Sequence, residues 1–224
     1  VPGADKLTIV HLNKGEVTVK VRGPSDIVKL FDEAIDKLEK NTDEYIPYWM
    51  EVWPSALALA HALTDMGKGI KGLRVLEVSA GIGLPAMTAA RLGAKSVHVT
   101  EYDPNALSVM EASAAENGVR VETSVFDWFR PTGSQIMTEV DSFDLILLAD
   151  VMYEERFVGP VAAAVQRLLK HNKGCTVLFT DPQRASLPAF KREVLRGGLD
   201  LREDVVAIRV VTADKEKEIK EETH

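Results

Sequence analysis

The stretch LRVLEVSAGIGLPAMTAARLGAKSVHVTEYD, residues 73–103, joins a strand, a glycine turn, a helix and a second strand in direct succession. Its apolar first part is typical of a buried strand, and Gly81 and Gly83 interrupt that run before a segment of helical composition. The second strand ends at Glu101, about twenty residues after the first glycine of the turn. Glycines let a backbone approach a bulky ligand, and a carboxylate accepts hydrogen bonds from both hydroxyls of a ribose. The stretch therefore predicts a nucleoside-binding site.

The composition is that of one domain of ordinary size. The chain has 224 residues, of which 46% are hydrophobic, and a formal net charge of −7. Because nucleic-acid affinity rests largely on clustered Lys and Arg, we expect no nucleic-acid partner. We also expect no membrane partner, since the longest apolar run is far short of a membrane span and no signal-peptide pattern is visible. Cys175 is the single cysteine, which excludes an internal disulfide and favours a reducing, cytoplasmic setting and a structural thiol.

The N-terminal part is predicted to be a β-hairpin followed by a helix. Residues 7–12 and 16–22 flank the turn sequence Asn-Lys-Gly, and Val17, Val19 and Val21 alternate with polar residues. A helical pattern then extends to about Lys40. We expect the hairpin to pack beside the main sheet. The chain is accordingly divided into residues 1–45, a hairpin and helix that pack on the core, and residues 46–224, which form the remaining compact unit.

Aromatic residues are concentrated just before the central stretch. The sequence IPYWMEVWPS, residues 46–55, contains two of the three tryptophans and leads into a helix. Two interpretations remain open. Tyr48, Trp49 and Trp53 belong to the core, where large aromatic side chains dominate burial, or they form a roof over the nucleoside pocket.

Strands and helices continue to alternate after residue 103. The strands are predicted at residues 119–126, 144–149 and 175–180, and the helices at residues 104–117, 157–169 and 187–195. Residues 199–212 and 215–223 are predicted as antiparallel edge strands. Such alternation implies right-handed crossovers. We predict an α/β fold with a Rossmann-like, doubly wound, mostly parallel seven-stranded sheet, extended by the N-terminal hairpin and helix.

Ligands of such sheets bind beyond the carboxyl ends of the strands. An acidic residue stands at four of these ends, namely Glu101, Asp127, Asp150 and Asp181. A single carboxylate there is ordinary turn or cap chemistry, and Asp150 could cap the helix that follows it. Four together favour a shared polar rim around an active site.

The motifs taken together resemble the seven-strand, class I methyltransferases that use S-adenosylmethionine. The resemblance rests on residues 77–83, Glu101, Asp127 with Trp128, and residues 150–153. The segments PYWMEVWPSALALA, LEVSAGIGLPAMTAARLGA, FDW and DVMYEE further resemble the protein-lysine methyltransferase branch. That branch contains the calmodulin and electron-transfer-flavoprotein lysine methyltransferases, and some relatives carry a nicotinamide N-methyltransferase-like label.

The resemblance implies a role for each matching residue. The methionine part of the cofactor would lie against Glu77 and the glycine loop, the ribose against Glu101, and the adenine against Asp127 and Trp128. The residues expected to bind the cofactor are Trp53, Glu77, Ser79, Gly81, Gly83, Glu101, Asp127, Trp128 and Asp150. The expected catalytic residues, which face the methyl acceptor, are Asp150 and Tyr153. Ser79 departs from the family pattern, which usually has glycine at this position.

The chemistry agrees with this resemblance. Methyl transfer from a sulfonium to an amine is an in-line displacement that requires alignment and exclusion of water but no metal. The five histidines lack ligand spacing, and no hydrolytic triad is visible. We expect a protein partner that presents a lysine. Three alternatives remain: a small amine such as a nicotinamide-like acceptor, an NAD-dependent oxidoreductase because residues 81–86 fit the dinucleotide pattern, and a noncatalytic binding module, favoured by Ser79.

Overall fold

The computed structural model describes residues 4–38, 47–131, 134–137 and 142–203. In chain order its helices and strands are β1 (Lys6–Leu12), β2 (Val17–Gly23), α1 (Ile27–Leu38), α2 (Pro54–Met66), β3 (Arg74–Val78), α3 (Leu84–Arg91), β4 (Ser96–Glu101), α4 (Pro104–Asn117), β5 (Glu122–Val125), β6 (Leu145–Ala149), α5 (Val158–His171), β7 (Thr176–Thr180) and α6 (Leu187–Arg196). The alternation of strand and helix that the sequence predicts is confirmed.

The described strands form a five-stranded parallel sheet in the order β5-β4-β3-β6-β7 and a separate two-stranded hairpin. The chain proceeds outward from β3 to β5, and then returns to place β6 on the other side of β3. This reversal creates a crevice between β3 and β4 on one side and β6 on the other, at the carboxyl ends of the strands. The predicted α/β, doubly wound architecture is confirmed. Residues 199–203, the described part of the first predicted edge strand, form no strand, and the rest of 199–212 and all of 215–223 lie outside the described residues.

The core lies on both faces of the sheet, as two layers of helices require. The central strands carry fully buried side chains such as Leu76 and Ile146. A side chain of this size stabilises the fold by roughly 1.5–3 kcal/mol when it leaves water. On one face the core includes Met87 of α3, and on the other Val161 of α5 and Phe190 of α6.

The N-terminal hairpin is confirmed, with β1 and β2 paired antiparallel from Lys6↔Gly23 to Leu12↔Val17. It forms a sheet separate from the five-stranded one and packs on α4 and on the core, in which Leu12, Val19 and Val21 are buried. The Lys20 N–H donates to Asn117 Oδ1 at 3.0 Å, and the Arg22 N–H donates to Ser113 Oγ at 2.8 Å. Two backbone N–H groups on the outer edge of β2 are therefore hydrogen bonded to side chains of α4. These bonds replace the pairing with another strand that an edge strand lacks.

Prolines and caps fix where several helices begin. Helices α2, α3, α4 and α6 each have a proline within their first two positions, where its missing N–H costs no hydrogen bond. Asp103 caps α4 by accepting from the Asn105 N–H at 2.8 Å, and Gly118 ends that helix with φ of 63°. Helix α1 extends to Leu38, and its predicted end at Lys40 lies outside the described residues. None of the described helices has the length and apolar character needed to cross a bilayer.

Candidate active site

A cavity of about 830 Å³ opens at the carboxyl edge of the sheet, where β3, β4, β5 and β6 end. Its remaining wall comes from the segment that precedes α2. The lining includes every predicted site residue except Glu77, namely Trp53, Ser79, Gly81, Gly83, Glu101, Asp127, Trp128, Asp150 and Tyr153. The volume falls within the range of small-molecule and cofactor sites. A second cavity of about 370 Å³ shares Tyr153 and Arg184 with the first.

The loop between β3 and α3 adopts left-handed backbone conformations. Ser79, Gly81 and Gly83 have φ values of 55°, 58° and 76°. A Cβ on Gly81 would lie 3.4 Å from the carbonyl oxygen of Trp49, and a Cβ on Gly83 would lie 3.1 Å from the side chain of Met110. The glycines are therefore required by the loop's own conformation and packing. The left-handed conformation at Ser79 also explains why glycine is usual at this position in the family pattern.

Glu77 lies beneath this loop and not in the cavity wall. Its side chain is buried, and Oε2 accepts a hydrogen bond from the Ala86 N–H at 2.7 Å, in the first turn of α3. Burial raises the pKa of Glu77 well above its usual value, and the nearby Glu101 charge adds to the shift. Its side chain points to the start of α3 and is not among the residues that line the cavity, so contact between Glu77 and the methionine part of the cofactor stays a prediction. Glu77 supports the loop from below.

Glu101 is the last residue of β4 and is 9% exposed. Oε2 accepts from the Gly81 N–H at 2.9 Å, and Oε1 accepts from the Tyr102 N–H at 2.7 Å. Burial raises the pKa of Glu101, and these two hydrogen bonds oppose the shift. Each carboxylate oxygen can accept more than one hydrogen bond, so the group retains acceptor capacity toward the cavity.

The segment after β5 supplies the opposite end of the cavity. Asp127 is held by a 2.8 Å hydrogen bond that the Phe129 N–H donates to Oδ1. The Trp128 ring is 8% exposed and packs at a near-perpendicular angle on Phe126, with ring centroids 4.9 Å apart. Phe129, in contrast, is exposed at the rim. A carboxylate beside a fixed aromatic face suits the hydrogen-bond donors and the flat ring of a nucleobase.

The aromatic residues before α2 belong to both the core and the cavity wall. Trp49 is 8% exposed and its Nε1–H donates to Asp103 Oδ2 at 2.8 Å. Trp53 is half-buried, and its Nε1–H donates to the carbonyl oxygen of Tyr48 at 2.7 Å. All three aromatic residues line the cavity. The two interpretations of this cluster therefore hold together, with Trp49 buried most deeply.

Tyr153 stands at the mouth of the cavity. Its ring lies 5.1 Å from that of Tyr48 and 4.9 Å from that of Phe157, measured between centroids. Burial of the hydroxyl and, second, the charge of Glu101 raise the pKa of Tyr153 above its usual range. The phenol therefore remains neutral and can donate a hydrogen bond at physiological pH.

Asp150, the first residue after β6, is paired with Arg184. Arg184 Nε and Nη2 donate to the two carboxylate oxygens at 2.5 and 2.9 Å, and only 8% of the Asp150 side chain is exposed. The Asp150 carboxylate raises the pKa of Arg184 above its usual range. The carboxylate does not cap α5, which begins at Val158 after the N-cap residue Phe157 and has no side-chain cap hydrogen bond. Sequence reasoning did not single out Arg184, although it belongs to the DPQR segment after β7.

Asp181, the fourth acidic strand end, does not line the main cavity. Its Oδ1 accepts from the Arg184 N–H at 2.7 Å, and burial raises its pKa. The shared polar rim expected from the sequence is thus formed by Glu101, Asp127 and Asp150, and Asp181 supports the loop that carries Arg184.

The residues present fit an adenosine-bearing cofactor. Glu101 offers carboxylate oxygens beside a loop whose Gly81 and Gly83 have no side chains, and Asp127 with Trp128 closes the other end of the same cavity. S-Adenosylmethionine would supply a methyl group on a positively charged sulfur. The loop after β3, Glu101, and Asp127 with Trp128 are the groups that would hold its three parts.

A doubly wound parallel sheet with a cavity at its switch point is the architecture of nucleotide-binding α/β proteins, a class that includes methyltransferases and dehydrogenases. The solved structure of ribosomal protein L11 methylase from Lactobacillus delbrueckii subsp. bulgaricus is similar in fold, with a TM-score of 0.55, 23% sequence identity, and coverage of 71% of this chain and 76% of that chain. The model of the family described as lysine methyltransferase matches residues 33–192. The chain belongs to this family. The predictions of a methyltransferase family and of S-adenosylmethionine as its cofactor are thereby confirmed.

Curated relatives agree with this family. The electron transfer flavoprotein beta subunit lysine methyltransferase of Danio rerio is 32% identical over 62% of this chain and 51% of its own length. The calmodulin-lysine N-methyltransferase of Arabidopsis thaliana is 27% identical over 66% of this chain and 50% of its own length. The histone-arginine methyltransferase METTL23 of Mus musculus is 32% identical over 57% of this chain and 51% of its own length. The chain spans about half the length of these relatives.

Proposed function

We propose that this protein transfers methyl groups from S-adenosylmethionine to the side-chain nitrogen of a lysine in a protein partner. One observation carries the proposal: Glu101, the Asp127–Trp128 pair and the Asp150–Tyr153 pair line a single cavity. The family and the names of relatives that act on lysines of electron transfer flavoprotein and calmodulin support it. The sites named below belong to the same proposal.

The cofactor end of the cavity is proposed to lie between the loop after β3 and the segment after β5. Glu101 accepts hydrogen bonds from the ribose hydroxyls, and Trp128 packs on the adenine with Asp127 as its acceptor. Ser79, Gly81 and Gly83 border the methionine part. Trp53 closes this end of the cavity against water, because its ring is held by the bond to the Tyr48 carbonyl oxygen.

The acceptor end is proposed to lie at Asp150 and Tyr153. A lysine ammonium must lose its proton to water before its nitrogen lone pair can attack the methyl carbon. As the nitrogen–carbon bond forms, the bond from that carbon to sulfur breaks, and S-adenosylhomocysteine is the leaving group. The rings of Tyr48 and Tyr153, 5.1 Å apart, would desolvate the aliphatic stem of the lysine. Asp150 and the neutral Tyr153 hydroxyl orient the nitrogen, so their contribution is one of alignment.

An arginine side chain is the second candidate acceptor, favoured by the 32% identity to a histone-arginine methyltransferase. Lysine is preferred because the family model and the other two relatives described above are of lysine methyltransferases. Both acceptors would enter the same cavity, so the methylated amino acid in the product must be identified to distinguish lysine from arginine.

The test is to incubate the protein with methyl-labelled S-adenosylmethionine and a cell lysate, and then to separate labelled proteins from labelled small molecules. Acid hydrolysis of the labelled protein should release methylated lysine. Asp150→Asn should reduce labelling at least about tenfold, because the nitrogen is no longer oriented by a charged oxygen. Methylated arginine would favour the second candidate, and label confined to small molecules would contradict a protein partner.

We further propose a cytoplasmic location. Cys175 is the single cysteine of the chain, so no internal disulfide can form. Partial burial raises the pKa of its thiol to about 12, so the thiol stays protonated and unreactive. Fluorescence imaging of the tagged protein in its native cells checks the location, and a signal confined to a secretory compartment would contradict it.

A further inference from the structure

The loops after β6 and β7 are joined where the proposed acceptor would enter. The Asp150 N–H donates to the carbonyl oxygen of Thr180, the last residue of β7, at 2.9 Å. From the β7 loop, Ser186 Oγ donates to the carbonyl oxygen of Met152 at 2.8 Å. Arg184, which lies between Thr180 and Ser186 in the chain, donates two further hydrogen bonds to the Asp150 carboxylate. Asp150 is therefore held from its backbone and from its side chain.

The backbone at this point is strained. Asp150 has φ of 56° and Gln183, next to Arg184, has φ of 64°. A left-handed conformation is unfavourable for a residue with a Cβ, and it persists only where other contacts impose it. The bonds to Thr180 and Arg184 are such contacts, and they aim the Asp150 carboxylate into the cavity that it lines.

The pairing also changes what Asp150 can do to an incoming amine. An unpaired carboxylate that is 8% exposed would strongly favour an ammonium ion beside it, and so would oppose loss of the proton that methyl transfer requires. A carboxylate in a bidentate pair with a guanidinium presents a dipole with little net charge. Its oxygens still accept hydrogen bonds, but the attraction for a cation is much weaker.

We infer that Arg184 is a positioning residue, which fixes the Asp150 carboxylate and compensates its charge so that the site accepts a neutral amine. This inference rests on the proposed function. Asp181 and Tyr48 are the other groups that act on the charge of Arg184. The remaining charged and titratable groups of the same cavity are Glu51, Glu101, Tyr102, Asp127, Arg130, Tyr153, Glu154 and Arg156. Of the cations among the described residues, only Arg184 is hydrogen bonded to Asp150.

The test uses two probes that bind without a methyl acceptor. S-Adenosylhomocysteine carries a neutral sulfur, whereas sinefungin carries an amine where the cofactor carries its methylated sulfur. Calorimetry gives the ratio of their affinities at about pH 8, at which the sinefungin amine is mainly protonated. Arg184→Gln leaves the Asp150 charge uncompensated, so the preference for sinefungin should rise at least about fivefold. Asp150→Asn leaves the Arg184 cation unpaired, so the preference should fall below that of the wild-type protein.

The double variant Asp150→Asn/Arg184→Gln should return the ratio to within about twofold of the wild-type value, which a merely structural role would not do. Arg156→Gln is the matched control, because it removes an arginine that lines the same cavity but is 63% exposed and paired with Glu154. Its ratio should change by less than about twofold.

If Arg184→Gln does not fold, as its melting curve would show, Arg184→Lys replaces it. Lysine keeps the charge, so the ratio should stay near the wild-type value while Asp150→Asn lowers it. An unchanged ratio in Arg184→Gln, or an equal rise in Arg156→Gln, overturns the inference. Failure of the wild-type protein to bind S-adenosylhomocysteine at all refutes the proposed function instead, so the two failures are distinct.

Discussion

The backbone N–H of Gly81 donates a 2.9 Å hydrogen bond to the carboxylate of Glu101. This bond connects the loop after β3 to the end of β4, two strands that are neighbours in the sheet. The spacing between the glycine and the acidic residue thus has a structural cause as well as a functional one. The carboxylate orders the loop, and the loop in turn fixes the carboxylate in the cavity.

Glu101→Ala is expected to weaken binding of S-adenosylhomocysteine more than tenfold. A charged acceptor of two ribose hydroxyls contributes about 2–3 kcal/mol, and the substitution also frees the Gly81 N–H. Isothermal calorimetry measures the effect. Glu33→Ala is the control, because Glu33 lies on α1, is 53% exposed and does not line the cavity. Unchanged affinity in Glu101→Ala would show that the ribose does not bind at this carboxylate.

Glu77→Gln is expected to flatten the pH dependence of stability. Burial raises the pKa of Glu77 in the folded protein, so its contribution to folding is fully present below the ordinary value of about 4.3 and is lost as the pH rises through the folded pKa. Glutamine keeps an oxygen for the Ala86 N–H but does not titrate. The free energy of unfolding, measured by urea denaturation from about pH 4 to about pH 8, should therefore fall less in the variant than in the wild-type protein.

Glu77→Ala is the companion variant, because it removes the hydrogen bond together with the charge. It should be less stable than Glu77→Gln by about 1–3 kcal/mol at every pH, since neither variant titrates and only the alanine leaves the first turn of α3 without its buried acceptor. If Glu77→Gln were as destabilising as Glu77→Ala near neutral pH, the ionised carboxylate itself would be required.

Ser79→Gly is expected to raise the free energy of unfolding by up to about 1 kcal/mol. Ser79 has φ of 55°, a conformation that glycine adopts without a steric penalty. Ser79→Ala keeps the Cβ and should give no such gain. Thermal and urea denaturation compare the three proteins. Equal stabilities of the glycine and alanine variants would show that the backbone at this position is not strained.

Trp53→Phe is expected to weaken binding of S-adenosylhomocysteine severalfold with little change in the melting temperature. The substitution removes the hydrogen bond from Trp53 to the Tyr48 carbonyl oxygen, which orders the wall of the cavity. Trp49→Phe provides the contrast, because Trp49 is 8% exposed and bonded to Asp103. That variant should lose about 1–3 kcal/mol of stability. A large loss of stability in Trp53→Phe, with normal affinity per folded molecule, would assign Trp53 to the core alone.

The sequence by itself determined the order and nearly the bounds of the elements, because these depend on neighbouring residues. The helix predicted at residues 104–117 is α4 (Pro104–Asn117), whose proline and following glycine are local signals. The strand predicted at residues 144–149 is β6 (Leu145–Ala149), an apolar run with a carboxylate after it. The sequence also predicted that Glu101, Asp127 and Asp150 lie together, because each follows or ends a parallel strand and parallel strands end at one edge of a sheet. All three line the cavity.

The tertiary structure alone decided how these residues are used. Glu77 and Ser79 are separated only by Val78, yet Glu77 points beneath the loop to Ala86 and Ser79 lines the cavity. Asp150 meets Arg184 only because β6 and β7 are paired neighbours in the sheet. Contacts of this kind join residues far apart in the chain, and their partners are selected by strand order and by packing. No local pattern of charge or hydrophobicity encodes them, and for this reason the guanidinium beside Asp150 became visible only in the fold.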